Sequence, residues 1–121
     1  MILVDTSVWI DHLRYGNKAL GEFLSEAFVL LHPFVIGELA CGNLKDRTGL
    51  LRDLNTLPKA SAAGHEEVLR LIEDGQLAGR GIGWVDAHLL ASALISRCLF
   101  WTLDERLRQA GAQVGARLYG A

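Results

Sequence analysis

The sequence predicts an α/β fold with a mainly parallel sheet. Short apolar runs alternate along the whole chain with stretches whose apolar residues recur at helical spacing, which is the pattern of strands joined by crossover helices. Half of the 121 residues are hydrophobic, and charged residues make up 21% without a long run of one sign. We therefore expect one domain over residues 1–121 with an ample core.

The first half of the chain predicts two strands and four helices. An apolar run at 1–5 predicts a buried strand, and Thr6 or Ser7 is expected to cap a helix that reaches about residue 15. A helix over 19–27 and a strand over 28–31 follow. Pro33 suits the first turn of a helix that ends near residue 42. Asp46 is expected to cap a helix that runs to residue 54.

The second half is expected to complete the sheet. Residues 59–63 are an ambiguous short strand, and 66–77 have helical spacing. The glycine-rich stretch 79–83 predicts a loop that leads into a long helix over 85–96. A strand over 99–103, a short helix over 105–110 and a last edge strand over 117–119 end the chain.

Four acidic residues each lie inside or against an apolar stretch, and we call them the acidic quartet: Asp5, Glu38, Asp86 and Asp104. An isolated buried carboxylate would take up a proton or destabilise the fold. Four of them are better explained if the fold gathers them around a hard divalent cation.

The predicted elements allow the acidic quartet to converge. Asp5 and Asp104 follow predicted strands, whereas Glu38 and Asp86 lie early in predicted helices. Strand ends and helix starts share one edge of a parallel sheet, where sites of this class form. Taken singly, Asp5 could cap a helix, Glu38 or Asp86 could pair with an arginine, and Asp104 could begin its own helix.

Three hydroxyl side chains flank these acids, namely Thr6, Ser7 and Thr102. Their hydroxyls could hydrogen-bond the carboxylates or a metal-bound water. A plain helix cap is the alternative role for Thr6 and Ser7, and the two roles are compatible.

The charge balance neither excludes nor favours a phosphate substrate. The formal net charge is −2, but setting the acidic quartet aside leaves ten acidic residues against twelve basic ones. Cys41 and Cys98 lie in apolar stretches, so we expect two small buried side chains in a reducing cytoplasm. No signal peptide and no membrane span is expected.

Other chemistries have little support in the sequence. The four histidines lack zinc-ligand spacing, and residues 79–83 lack the lysine and serine of a P-loop. Ser7 is not in a nucleophile elbow. Trp84 and Trp101 are expected to be packing residues rather than platforms for bases.

Four segments carry a family resemblance: 4–10 (VDTSVWI), 32–39 (HPFVIGEL), 79–91 (GRGIGWVDAHLLA) and 101–104 (WTLD). On these segments, which occur in order and at family spacing, the chain resembles the PIN-domain ribonucleases and, within them, the VapC-type toxins of toxin–antitoxin pairs. The resemblance implies a three-layer α/β/α sandwich, and it implies that the acidic quartet binds magnesium or manganese with Thr102 beside it.

The same resemblance implies cleavage of RNA phosphodiesters, inhibition by a cognate VapB-type antitoxin, and a homodimer. Many close relatives carry basic residues where this chain has Leu103 and Glu105. An excess of apolar residues on the first two predicted helices also favours a dimer: Trp9, Ile10, Leu13, Leu20, Phe23 and Leu24.

The sequence therefore predicts a cytoplasmic, Mg²⁺- or Mn²⁺-dependent endoribonuclease. Four basic residues are candidates for holding the RNA backbone, with solvated surface charge as the plainer role: Arg80, Arg14, Lys45 and Arg47. A haloacid-dehalogenase-like phosphatase would need an aspartate where Ser7 stands. A non-catalytic receiver-like binding domain would need adjacent acids after the first strand and a lysine after the last.

Overall fold

The computed structural model describes residues 1–120, which form four strands and seven helices. The strands are β1 (Ile2–Val4), β2 (Val29–Leu30), β3 (Leu99–Trp101) and β4 (Arg117–Leu118). The helices are α1 (Thr6–Tyr15), α2 (Lys18–Ser25), α3 (Pro33–Ala40), α4 (Arg47–Thr56), α5 (His65–Asp74), α6 (Trp84–Ser96) and α7 (Glu105–Gln113).

The four strands form one sheet in the order β2-β1-β3-β4, and every neighbouring pair is parallel. Leu3 of β1 is in register with Leu30 of β2 and with Phe100 of β3. The chain leaves β1 toward β2 but later returns to the other side of β1, so the strand order reverses there. In parallel sheets such a reversal opens a crevice at the carboxyl ends of the strands.

Helices cover both faces of the sheet. Tyr119 follows β4, and its ring contacts Phe23 of α2 edge-on with 5.2 Å between the ring centroids. The neighbouring Leu118 lies against α7 on the opposite side, since a Cβ placed on Gly111 would be 3.0 Å from Leu118 Cδ2 and 3.3 Å from Leu90 Cδ2 of α6. This confirms the α/β architecture with helical layers on either side of a parallel sheet.

The start of α1 differs from the sequence prediction. Asp5, rather than Thr6 or Ser7, occupies the N-cap position in an extended conformation, and its side chain makes no capping hydrogen bond. Thr6 and Ser7 already belong to the helix. The next helix, α2, is capped from Asn17, whose side-chain oxygen accepts a hydrogen bond from the Leu20 N–H at 3.0 Å.

Residues 59–63 do not form a strand. Lys59 makes one isolated bridge with Leu31, supported by a hydrogen bond from the Ala60 N–H to the Leu31 carbonyl at 2.8 Å. Helix α5 also ends at Asp74 instead of residue 77, because Gln76 takes a left-handed conformation with φ of 54°.

The apolar residues of α1 and α2 that favoured a dimer divide between the core and the surface, with Phe23 and Leu24 partly buried. Trp9 and Leu20 are buried, whereas Ile10 and Leu13 stay exposed at 38% and 39%. Cys98 is buried as expected, but Cys41 is exposed, which contradicts its prediction. In residues 1–120 no helix combines the length and apolar character that crossing a membrane requires.

Candidate active site

Asp5 lies at the centre of the carboxyl edge of the sheet. It directly follows β1, and its N–H donates to the Trp101 carbonyl of β3 at 2.9 Å. The side chain is 6% exposed, and its Oδ2 accepts hydrogen bonds from Ser7 Oγ at 2.8 Å and from Thr102 Oγ1 at 2.7 Å. The two hydroxyls satisfy a carboxylate that would be costly to bury alone.

The two hydroxyls also tie the site together. Thr102 Oγ1 accepts from the Asp104 N–H at 3.0 Å, and Ser7 Oγ accepts from the Leu103 N–H at 3.0 Å. Each hydroxyl has one proton, and each can donate it to Asp5. The 3.3 Å contact between the two hydroxyl oxygens therefore does not have to be a hydrogen bond. The predicted bonding of Ser7 and Thr102 to a carboxylate is therefore confirmed.

Asp104 occupies the N-cap of α7. Its Oδ1 accepts from the Arg106 N–H at 2.9 Å and from the Leu107 N–H at 3.3 Å, which satisfies two donors of the first turn. The side chain is exposed beside the buried Thr102. Asp104 therefore begins its own helix, as one alternative held, and at the same time lies beside Asp5 and its hydroxyl partners.

Glu38 joins the site through α1. Thr6 Oγ1 donates to Glu38 Oε1 at 2.7 Å, which links the first turn of α1 to the second half of α3. Glu38 is exposed to solvent. The hydroxyl of Thr6 thus orients a carboxylate, as the sequence predicts for the residues that flank the acids.

Asp86 lies in the first turn of α6, where its Oδ2 accepts from the Gly83 N–H at 3.0 Å. Burial raises the pKa of Asp86 above its ordinary value, and the charges of Asp5, Asp104 and Glu38 raise it further. The hydrogen bond from Gly83 opposes this rise. The other three carboxylates therefore lie near enough to Asp86 for their charges to act on it.

No basic side chain neutralises these acids among residues 1–120. The ion pairs found there are Arg52–Asp53 at 3.6 Å and Arg108–Glu105 at 3.8 Å, and neither includes a member of the acidic quartet. The alternative that Glu38 or Asp86 pairs with an arginine therefore does not hold in this part of the chain. Carboxylates whose charges are not compensated by a basic side chain favour binding of a cation.

The quartet is open rather than closed into a complete shell. Within the described residues, no three His, Cys, Asp or Glu side chains are placed to grip one metal ion together. Carboxylate oxygens backed by hydroxyls suit Mg²⁺ or Mn²⁺, and Mg²⁺ keeps several waters while binding one or two carboxylates and substrate phosphate. The chemistry of these oxygen donors therefore suits such an ion.

The basic residues proposed to hold RNA do not contact the acids. Arg14 and Lys45 line a cavity of about 460 Å³ beside the second half of α1. Arg47 Nη1 lies 3.5 Å from the Gly42 carbonyl, and Arg80 Nε donates to the Gln76 carbonyl at 3.4 Å. The contacts of these four residues are all with groups outside the acidic quartet. Their role in RNA binding therefore stays a prediction.

Arg106 is a basic residue that the sequence reading did not select. It belongs to the first turn of α7, next to Asp104, and its side chain lies over the glycine-rich loop. A Cβ on Gly81 would be 2.7 Å from Arg106 Cδ, and the φ of Gly81 is +83°, so only glycine suits this position. The contact joins residues 25 positions apart, which explains why no local pattern predicts it.

Aromatic and histidine rings cluster beside the site. His88 of α6 lies between Phe34 and Trp84, with ring centroids 4.8 Å and 4.6 Å away, and His65 is 5.1 Å from Trp84. Trp101 is buried, as expected of a packing residue. Trp84 packs against two histidine rings but is 39% exposed, so it is not the buried packing residue that the sequence predicts. The i,i+4 spacing of Trp84 and His88 is the sequence signal for their contact.

His32 fixes the start of α3 under this cluster. Its Nδ1 accepts from the Phe34 N–H at 3.0 Å, so the side chain caps the helix. Burial lowers the pKa of His32 and of His88 below the ordinary value, and each is lowered further by a neighbouring histidine. His32 and His88 are therefore biased toward their uncharged forms.

Sequence comparison identifies the family of proteins to which this parallel sheet with its acidic residues belongs. Residues 2–113 match the model of the PIN domain, so the chain belongs to the PIN-domain family. It is 48% identical over 119 residues to Ribonuclease VapC32 of Mycobacterium tuberculosis, in the strains CDC 1551 / Oshkosh and ATCC 25618 / H37Rv. The match covers 98% of this chain and 96% of the relative, which confirms the resemblance to VapC-type proteins.

Solved structures support the fold. FitAcB from Neisseria gonorrhoeae superposes with a TM-score of 0.70 at 19% identity, over 99% of this chain and 97% of that one. FitAB bound to an IR36 DNA fragment gives a TM-score of 0.65 at 18% identity, over 98% and 94%. At these identities the likeness confirms the α/β fold alone.

Proposed function

We propose that the protein is a metal-dependent endoribonuclease of the VapC toxin type. The observation that carries the proposal is the acidic quartet at one edge of the sheet, unpaired with any basic side chain of the described residues. The 48% identity to a protein named as a ribonuclease supports RNA as the substrate. Asp5, Glu38, Asp86 and Asp104 would hold Mg²⁺ or Mn²⁺.

The chain's own groups prepare this site in three ways. Ser7 and Thr102 orient the buried carboxylate of Asp5, and Thr6 orients that of Glu38. Asp104 is fixed through Oδ1 by backbone donors of α7. When bound, the divalent ion supplies a water of lowered pKa and stabilises the charge that develops at the leaving oxygen of the phosphodiester.

The two rival functions lose support at particular residues. A haloacid-dehalogenase-like phosphatase needs a second acid two residues after the first, whereas Ser7 stands there and directs its hydroxyl to Asp5. A receiver-like binding domain needs a lysine after the last strand of the site, whereas Asp104 is followed by Glu105 and Arg106. Neither rival accounts for all four carboxylates.

A cognate VapB-type antitoxin is the proposed partner, in a cytoplasmic complex. An arginine of that partner could form bidentate hydrogen bonds with the unpaired carboxylates and so exclude both metal and phosphate. Replacing such an arginine with alanine should restore cleavage more than it weakens the complex. Cleavage that stays blocked in the mutant complex would mean that the partner inhibits by covering the RNA path instead.

The direct test is cleavage of single-stranded RNA by the purified protein, with p-nitrophenyl phosphate as the phosphatase substrate. EDTA should stop RNA cleavage, and added Mg²⁺ or Mn²⁺ should restore it, because the carboxylates offer hard oxygen ligands. Hydrolysis of the monoester with intact RNA would support the phosphatase, and full RNA cleavage after thorough chelation would contradict the metal site.

Asp5→Asn isolates the carboxylate at the centre of the site. The amide keeps the shape of the side chain but removes its charge, so metal binding should weaken. Loss of a residue that only hydrogen-bonds a metal ligand already costs about 10–100-fold, so loss of a ligand's charge should lower cleavage by about 100-fold or more. The melting temperature without metal should not fall much, because one repelling charge is removed. Cleavage near the wild-type rate would exclude Asp5 as a metal ligand.

A further inference from the structure

Two aromatic rings stand half-exposed beside the acidic quartet, and we call Phe34 and Trp84 the aromatic pair. Each of these residues is 39% exposed, although aromatic side chains of this size usually bury most of their surface. Phe34 lies in the first turn of α3 and Trp84 begins α6. These two helices also carry Glu38 and Asp86.

His88 holds the aromatic pair in place. Its ring meets Trp84 at an interplanar angle of 83° and Phe34 at 65°, so both contacts are edge-to-face. His88 is itself 7% exposed and immobilised in the core side of α6. Each ring also meets a second histidine, Trp84 meeting His65 at 5.1 Å and Phe34 meeting His32 at 5.0 Å between ring centroids. Both aromatic residues nevertheless stay 39% exposed, so part of each side chain is available to a ligand.

The aromatic pair is continuous with the site where phosphate would be cut. Glu38 comes four residues after Phe34, one helical turn of about 5.4 Å along the same side of α3. Asp86 comes two residues after Trp84 within the first turn of α6. Trp84 and Asp86 project from different faces of α6, so the link to the acids runs through Phe34, to which His88 joins Trp84. An RNA strand whose phosphate lies near Glu38 would therefore have a neighbouring base within reach of Phe34.

Charge decides what kind of group suits this surface. The acidic quartet repels every phosphate that is not on the metal, and no basic side chain of the described residues is paired with it. An uncharged base avoids that repulsion, and aromatic side chains bind bases of any sequence because every base has a π-face.

We propose that Phe34 and Trp84 form a stacking platform for a base of the RNA strand, adjacent to the phosphodiester that is cleaved. The proposal rests on the proposed ribonuclease function and adds the residues that grip the substrate. It makes the aromatic pair a binding site for bases rather than for phosphates, separate from the carboxylates.

Binding is best measured in the full-length Asp5→Asn protein, which leaves the RNA intact. Two probes of equal charge separate bases from phosphates: a mixed-sequence single-stranded RNA of about ten nucleotides, and an abasic ribose-phosphate strand of the same length. Phe34→Ala and Trp84→Ala should each weaken binding of the RNA about 5-fold or more, as expected for loss of a stacked base. Binding of the abasic strand should stay unchanged.

A matched control comes from an exposed aromatic residue elsewhere on the chain. Phe28 is 45% exposed and directly precedes β2, at the amino end of the strands. Phe28→Ala should bind the RNA and the abasic strand as the parent does. Trp84→Phe should keep most of the RNA affinity, since a phenyl ring also stacks.

Tryptophan fluorescence gives an independent readout. Trp9 and Trp101 are buried at 2% and 7% exposure, so acrylamide in solution mainly quenches Trp84. RNA should lower the emission of Trp84 and protect it from acrylamide, whereas the abasic strand should do neither. The Trp84→Phe variant should lose this response.

Several results would overturn the stacking platform. An equal loss of affinity for both strands would mean that the substitutions act on phosphate contacts or on the fold. Failure of the parent to bind either strand would exclude the platform. A loss of RNA affinity that accompanies dissociation of a dimer, seen by light scattering, would also exclude it, because it would assign this surface to contact with a second copy of the chain. If wild-type protein cleaves no RNA while the base-dependent binding persists, the ribonuclease proposal fails and the stacking platform stands.

Discussion

The interactions of a single carboxylate, that of Asp5, organise the site. It is buried where the central strand ends, and its two hydrogen bonds come from hydroxyls that belong to different parts of the chain. Thr102 is 95 residues away from Ser7, yet both donate to the same oxygen. The position of Asp5 therefore depends on the pairing of β1 with β3 as well as on its own neighbours.

Thr102→Val tests this dependence. The substitution keeps the shape and removes the hydroxyl that serves both Asp5 and the Asp104 N–H. The free energy of unfolding should fall by about 1–3 kcal/mol, because buried polar groups lose a partner. Metal affinity should fall about 10–100-fold, as for other lost supporting hydrogen bonds.

Thr56→Val is the control for this variant. Thr56 is exposed, and its hydroxyl bonds only the Asp53 carbonyl at the end of α4. Urea denaturation and Mn²⁺ titration should therefore leave Thr56→Val close to wild type. If Thr102→Val matches it in both measurements, Thr102 does not support the metal site.

At the residue scale the sequence selects the four acids, whose role as metal ligands stays a prediction, but it does not predict what surrounds them. The acidic quartet could be selected because each carboxylate interrupts an apolar stretch, which local sequence displays. The packing of Arg106 on Gly81 and of Phe34 on His88 could not, because these contacts join distant segments. Trp84 was expected to be a packing residue because sequence gives ring identity but not the fraction of the ring left exposed.

At the scale of one element, the first turn of α6 carries an electrostatic cost. Burial and the other three carboxylates raise the pKa of Asp86, and the Gly83 N–H only partly offsets this. An acid whose pKa is higher in the folded state binds its proton more tightly there, so stability falls as the pH rises from the unfolded-state pKa through the folded-state pKa. The cost is fully present above the folded-state value.

Asp86→Asn should therefore stabilise the metal-free protein at neutral pH. The amide oxygen can still accept from the Gly83 N–H, but it carries no charge that must be desolvated. The gain should shrink as the pH falls through the raised pKa and should vanish below the ordinary value of 3.8. Thermal unfolding in EDTA from pH 3 to pH 8 measures this difference.

The opposite sign would refute the electrostatic reading of α6. Asp53→Asn is a suitable comparison, since Asp53 lies on the surface beside Arg52 and away from the quartet. Its melting temperature should follow the wild type across the same pH range. Destabilisation by Asp86→Asn at neutral pH would mean that the charge of Asp86 supports the fold.

Element boundaries show where local patterns stop being sufficient. The helices around Glu38 and Asp86 were predicted to within about two residues at their starts, because proline and glycine mark them. The start of α1 was misassigned, since Ser7 and Thr6 are good caps locally but their hydroxyls bind carboxylates instead. Tertiary hydrogen bonds override the capping preference there.

At the scale of the whole molecule, topology assembles the site. The order β2-β1-β3-β4 places β1 between β2 and β3, so the segments that follow these strands share one crevice. The alternation of elements predicts a parallel sheet, but it does not predict strand order. The sequence could therefore predict that the acidic quartet can converge, from strand ends and helix starts, but not which strands lie side by side.

A homodimer remains a prediction at this scale. Burial of Trp9 and Leu20 removes much of the apolar surface that favoured it, but Ile10 and Leu13 are still exposed. Exposed apolar side chains close together commonly mark an interface. Light scattering at micromolar concentration should give about twice the 13.2 kDa mass of one chain, and a mass near 13.2 kDa would exclude a dimer under those conditions.

Mn²⁺ binding to the whole protein tests most directly whether the acidic quartet is one metal site. Calorimetric titration of the wild type should detect binding that Asp5→Asn, Glu38→Gln, Asp86→Asn and Asp104→Asn each weaken by about 10-fold or more. Asp53→Asn should bind as the wild type does. Mn²⁺ should also raise the melting temperature of the wild type, since an ion at 100 times its Kd adds about 2.7 kcal/mol to stability. Wild-type affinity in all four quartet variants, or no binding by the wild type, would contradict the account.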